Sequence, residues 1–212
     1  MSQLWYRTIR GLIVVFSKVF WRLSVTGAEQ IPRTGPFILA PVHRSNVDFA
    51  IVSAVTARRM RYLAKDSLWK FGLGRLWESL GAVAVARGTA DRPALRALES
   101  AIASGEPVVM FPEGTRQTGP EVQPLFDGVA YVASRTGVPI IPVGIGGSER
   151  AMPKGAKMIH PVRIALVVGP PILPERREDG ARVPRRAVTE LTATLKGEVQ
   201  RLFDEAQRAA GA

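Results

Sequence analysis

Apolar and polar positions along the chain follow two alternating rhythms. Short Val/Ile-rich runs at 23–27, 36–42, 60–64, 82–86, 107–111, 139–145 and 162–168 predict strands. They are nearly continuous rather than alternating, the pattern of strands covered on both faces. Between them, helical spacing of apolar residues predicts helices over 46–58, 66–79, 91–103 and 127–136. Strand and helix alternate, so the expected fold is α/β: a single domain with a mainly parallel central sheet flanked by helices. After a polar stretch at 175–186, a last helix over about 184–209 carries Val188, Leu191, Leu195, Val199 and Leu202 at helical spacing. It is expected to dock on the domain.

Residues 3–23 form a separate helical pattern with Gly11 as the sole breaker. On a helical wheel Arg7, Arg10, Lys18 and Arg22 share one face, and Trp5, Ile9, Leu12, Phe16, Val19, Phe20 and Leu23 lie opposite. The longest unbroken apolar run, Leu12 to Phe16, is far short of the ~20 residues of a membrane-spanning helix. Lys18 and Arg22 also argue against a signal peptide. Two readings fit: an amphipathic helix lying on an anionic membrane surface, or a helix packed on the domain with its basic face in water. The expected organisation is a membrane-associating helix over 1–22, the α/β domain over 23–175, and a linker with C-terminal helix over 176–212.

Composition narrows the chemistry. Cysteine is absent from the 212 residues, so disulfides, thiol nucleophiles and cysteine metal sites are excluded. Only His43 and His160 are histidines, and no clustered metal-ligand spacing is present; neither a metal nor a cofactor is expected. The net charge of +11 is concentrated at the start, where residues 1–75 hold twelve Lys/Arg against three Asp/Glu. Such a basic region implies an anionic partner: nucleic acid, anionic lipid or a phosphorylated substrate. An RNA-binding sheet motif is missing. A phosphate-cradling GxxxxGK loop and a Gly-x-Ser-x-Gly elbow are missing as well.

In open α/β sheets ligands bind beyond the carboxyl ends of the strands, where this chain sets polar residues. His43 follows the second predicted strand, with Asp48 five residues on. A turn from strand into helix can fold that Asp back on the His, making a dyad that takes a proton from a hydroxyl. Ser45-x-x-Asp48 also matches a capping box, and the dyad and the cap can share the carboxylate. After the fifth predicted strand, Phe111 to Arg116 reads FPEGTR. Pro112 and Gly114 suit a tight turn, Glu113 can hold the loop or meet a hydroxyl, and Arg116 offers a fork for phosphate. A solvated surface turn is the other reading. Arg87, Lys65 and Arg44 are further basic candidates.

In this order, the pieces resemble the glycerolipid acyltransferase family that includes 1-acyl-glycerol-3-phosphate acyltransferases. His43-Arg44-Ser45-Asn46-Val47-Asp48 is similar to its His-x-x-x-x-Asp motif. Gly81 to Arg87 resembles the second motif, Phe111 to Arg116 matches the third, and Val138 to Val143 resembles the fourth. The stretch from Gly147 to Gly155 resembles the family's segment after the fourth motif, and the likeness covers about residues 20–175. It implies transfer of an acyl group from acyl-CoA or an acyl carrier protein to the hydroxyl of a lysophospholipid such as lysophosphatidic acid. It implies His43 as general base, Asp48 as its orienter, and Arg87 and Arg116 as phosphate ligands. It implies that Glu113 and Gly114 shape the acceptor site; Thr115, Arg44 and Lys65 are further substrate-binding candidates from their places at the turns and strand ends. It also implies a peripheral position on the cytoplasmic face of the cell membrane. Two positions depart from the pattern: Val42 stands where Asn is frequent, and Phe126-Asp127-Gly128 lacks the usual Lys. The second removes a positive charge near the expected phosphate site.

Overall fold

A computed structural model describes residues 3–65, 74–85, 92–153, 155–175 and 183–212. Among the described residues seven strands form one sheet: β1 (Ser24–Thr26), β2 (Ile38–Pro41), β3 (Arg61–Lys65), β4 (Ala82–Val85), β5 (Val108–Val109), β6 (Ile140–Gly146) and β7 (Ala165–Val168). Each falls within a run predicted from sequence or extends one by a single residue. The order is β1-β7-β6-β2-β5-β3-β4, and every pairing is parallel except β6 with β7. That exception has a covalent cause. A parallel return needs a crossover, usually a helix, whereas β6 and β7 are joined through only the four-residue helix α6 (Ser148–Ala151) and an irregular segment. The chain stays at one end of the sheet and re-enters it running the other way. Sequence periodicity did not anticipate α6.

The remaining helices are α1 (Gln3–Phe20), α2 (Asp48–Ile51), α3 (Gly74–Ser79), α4 (Arg92–Ala103), α5 (Gly128–Thr136) and α7 (Arg185–Ala210). The helix expected over 46–58 is a single turn, α2, that tightens into a 3-10 turn over Val52–Val55. Ser53 Oγ donates to the Ala50 carbonyl at 2.6 Å, and β-branched residues crowd the segment, both adverse to an extended α-helix. Of the helix expected over 66–79, residues 74–79 are described and helical. The chemistry-bearing strand ends all lie on one side, because β6, β2, β5, β3 and β4 run parallel.

The core is continuous. Phe37, Ile38 and Leu39 in and just before β2, and Ile140, Ile141, Val143 and Ile145 of β6, are fully buried. Helices α4, α5 and α7 lie side by side against the sheet, with α7 along β6 and β7. The backbone of α7 meets β6 directly: a Cβ built on Gly144 would collide with the Leu202 carbonyl, and one on Gly146 with that of Ala206. Gly144→Ala or Gly146→Ala should therefore lift α7 off the sheet and destabilise the protein by roughly 1–3 kcal/mol or more. A thermal melt of each variant checks this, and an unchanged Tm would mean that the helix can move away freely.

Helix α1 docks through a third face, different from both predicted ones. Tyr6, Ser17 and Trp21 are buried. Tyr6 donates to the Arg58 carbonyl, and Arg10, placed by the wheel on the outward basic face, donates to the Ser53 carbonyl at 2.8 Å. The outward side leaves Leu4, Leu12, Val15, Phe16 and Val19 exposed, Val19 at 76%, with Arg7 and Lys18 exposed beside them. No described helix is long and apolar enough to cross a membrane.

Candidate active site

His43 sits just beyond β2, in the turn leading to α2, and is 2% exposed. Its Nδ1 lies 3.0 Å from Asp48 Oδ2. The same oxygen accepts the backbone N–H groups of Arg44 and Ser45, each at 2.7 Å. Three bonds on one oxygen fix the carboxylate against the ring, so the turn's own amides build the dyad. Only half of the capping box forms. Asp48 caps the Ser45 amide, while the Ser45 hydroxyl donates to the Met152 carbonyl at 3.0 Å instead. Cap and dyad share Oδ2, and Oδ1 has no hydrogen-bond partner among the described residues.

With Asp48 accepting from Nδ1–H, the lone pair of the neutral imidazole resides on Nε2. The ring lies between Phe111, 4.2 Å away centroid to centroid, and Phe49, edge-on at 5.4 Å. These two rings touch each other at 4.8 Å, and Phe49 continues to Tyr62. Burial pushes the Tyr62 phenol above its ordinary range, so it stays neutral. The dyad is thus walled by apolar aromatic surface that keeps water away and strengthens its electrostatics.

Glu113 follows β5, the strand beside β2. It is 1% exposed, and its carboxylate ties three donors together around His43. Oε2 accepts the His43 N–H at 3.0 Å; Oε1 accepts Arg44 Nη1 at 2.9 Å and the Gln123 N–H at 3.1 Å. Gln117 donates its N–H back to the His43 carbonyl at 2.8 Å. The FPEGTR turn and the His43 turn are therefore one unit. Gly114 supports it with φ of 68°, a left-handed conformation that favours glycine, and the Phe126 ring packs where a Cβ would be.

The remaining candidates separate. Arg44 was expected among the substrate contacts, but it is 1% exposed and its groups are engaged inside the protein. Nη1 pairs with Glu113, Nη2 donates to the Glu121 carbonyl at 3.1 Å, and the guanidinium lies 4.7 Å over the Phe203 ring. It is a buried brace. Glu113 likewise holds the loop and does not present its carboxylate outward. Gly114 and Thr115 are exposed at the turn. Arg116 is half-buried, adjoins Gln117 and has no acidic partner among the described residues. Lys65 closes β3 opposite Val85 of β4; its side chain, and Arg87 entirely, lie outside the described residues. No cluster of His, Asp and Glu suited to a metal gathers among the described residues.

Sequence reasoning missed the part played by α7. Phe203 carries the Arg44 guanidinium. Gln200 accepts the Val122 N–H at 2.7 Å and donates to the Pro120 carbonyl at 3.1 Å. Thr192 donates at 2.9 Å to Asp127, which occupies the position where a Lys was expected. The available signal was Gln200, a polar residue between the apolar positions Val199 and Leu202.

Residues 22–146 match the family described as Acyltransferase. Over 174 residues the chain is 26% identical to 1-acyl-sn-glycerol-3-phosphate acyltransferase alpha of Mus musculus, covering 79% of this chain and 61% of that protein. Over 144 residues it is 24% identical to the chloroplastic 1-acyl-sn-glycerol-3-phosphate acyltransferase BAT2 of Brassica napus, covering 66% and 42%. The chain thus spans about half the length of the curated relatives it matches. The crystal structure of the 1-acyl-sn-glycerophosphate (LPA) acyltransferase PlsC from Thermotoga maritima superposes with a TM-score of 0.73 at 26% identity, covering 93% of this chain and 80% of that one. With the family match extending over more than half of its residues, the chain belongs to the Acyltransferase family.

Proposed function

We propose that the protein transfers a fatty acyl group from an acyl thioester to the free hydroxyl of 1-acyl-glycerol-3-phosphate, giving phosphatidic acid. The observation that carries this reading is the buried His43–Asp48 pair at 3.0 Å, set beyond the sheet in a turn braced by Glu113. The relatives named above act, by their names, on this acceptor. His43 Nε2 takes the hydroxyl proton as the oxygen attacks the thioester carbonyl. Asp48 stabilises the imidazolium, and the departing thiolate takes that proton. Backbone amides of the site would stabilise the oxyanion. No covalent acyl-enzyme is needed.

Arg116, without an acidic partner among the described residues and next to the His43 unit, is assigned to the acceptor's phosphate, together with Arg87. Helix α1 is assigned to an anionic membrane surface, on the strength of its exposed apolar stripe flanked by Arg7 and Lys18. The cytoplasmic face and a coenzyme A or carrier-protein donor belong to the same proposal.

Lost charge-assisted bonds to phosphate are worth roughly 1.5–3 kcal/mol each. Arg116→Ala should therefore raise the KM for lysophosphatidic acid by roughly 10- to 100-fold and leave a lysolipid without a phosphate monoester unaffected. The deciding experiment supplies palmitoyl-coenzyme A with lysophosphatidic acid, glycerol-3-phosphate, a lyso-aminolipid or a glycolipid and identifies the lipid product. Phosphatidic acid as the main product supports the proposal. Acylation of a phosphate-free acceptor with equal efficiency points to the same chemistry on another acceptor, which the acidic Asp127 would suit.

A further inference from the structure

We propose that the segment 155–163 is a second membrane-contacting element, which inserts Met158 and Ile159 into an anionic bilayer beside the turn that carries His43. The inference rests on the membrane docking of α1 proposed above.

The segment is pinned at both ends. Upstream, the Met152 carbonyl accepts the hydroxyl of Ser45, two residues from His43. Downstream, the His160 carbonyl accepts Trp21 Nε1–H at 3.0 Å, just past the end of α1, and the Ile164 N–H donates to the Trp21 carbonyl at 3.0 Å. His160 N–H closes the base of the loop on the Ala151 carbonyl at 2.8 Å. The loop therefore bridges the catalytic turn and the membrane-facing helix.

Its tip is apolar and uncovered. Met158 is 74% exposed and Ile159 39%. Cations adjoin them in the segment: Lys157 and Arg163 are both exposed. No Asp or Glu occurs between Arg150 and Pro174, and none occurs in α1 or anywhere before Glu29. Two neighbouring elements thus pair exposed large apolar side chains with positive charge and exclude negative charge. That combination matches the headgroup boundary of an anionic bilayer, where apolar tips sink and Lys/Arg meet lipid phosphate. The position also fits the task, because a lipid acceptor must leave the bilayer close to His43.

The absence of cysteine allows single labelled sites. Met158→Cys, Val19→Cys in α1 and Ala193→Cys on the exposed side of α7 would each carry an environment-sensitive nitrobenzoxadiazole dye. Emission is compared with phosphatidylcholine vesicles and with vesicles that also contain phosphatidylglycerol. The proposal predicts a several-fold rise and blue shift at 158 and 19, not at 193, and only with phosphatidylglycerol. A response at 19 without one at 158 overturns the inference and leaves α1 docking standing. Silence at both overturns both. A response at 158 that grows with protein concentration without vesicles assigns the tip to a second copy of the chain and overturns the inference. As a label-free counterpart, Met158→Glu with Ile159→Glu should reduce partitioning into phosphatidylglycerol vesicles by about tenfold or more at an unchanged Tm; unaltered partitioning overturns the inference.

Discussion

His43→Ala is expected to lower acyl transfer by roughly 10²–10⁴-fold, the usual contribution of a positioned general base, without unfolding the protein. The two roles of this residue are separable. Its backbone serves the fold: the N–H donates to Glu113 and the carbonyl accepts from Gln117, and both bonds survive truncation to Ala. Its ring serves the proposed chemistry, with Nδ1 held by Asp48 and Nε2 left for the substrate proton. The lost contacts with Phe49 and Phe111 leave a cavity and a modest fall in Tm. Circular dichroism and vesicle binding should remain as in the wild type, because the exposed apolar side chains of α1 do not depend on the His43 ring. Turnover near the wild-type value in a folded variant would remove His43 from the mechanism.

Glu113→Ala is expected to have the largest effect on stability. The substitution leaves the Arg44 guanidinium buried at 1% exposure without its counter-charge. Breaking one side of such a pair costs roughly 3–5 kcal/mol, a large share of the ~5–15 kcal/mol that holds a domain together. It also frees the amides of His43 and Gln123. The Tm should fall by roughly 10 °C or more. Combining it with Arg44→Met should recover part of the loss, since no uncompensated charge then remains. If the single substitution melts like the wild type, water reaches Arg44 and the pair does not brace the two turns.

The sequence was most informative where local pattern and function coincide. Apolar runs marked the strands, most clearly in β2, β5, β6 and β7, which are buried throughout and have no polar face to break the run. His43 and Asp48 were legible as a pair because both belong to one turn, five residues apart. Pairings across long separations were not. Arg44 and Glu113 lie 69 residues apart, and nothing at either position distinguishes a buried brace from a phosphate ligand. Gln200 reaches 78 residues back to Val122. The reversal at β7 depends on where the chain travels after β6, which apolar periodicity does not encode. Helix α1 shows the same limit. The wheel separated apolar from basic positions, but Tyr6, Arg10, Ser17 and Trp21 became the docked face because the 3-10 turn, Arg58 and the 160–164 segment supply partners there.

The most direct test is thiol release from palmitoyl-coenzyme A by purified protein in detergent, with and without lysophosphatidic acid, beside His43→Ala. Release should depend on the lysolipid and disappear in the variant, since the base acts on the acceptor's hydroxyl. Release that is equally fast without lysolipid, or that persists in His43→Ala, would contradict a His43-driven transfer to that acceptor.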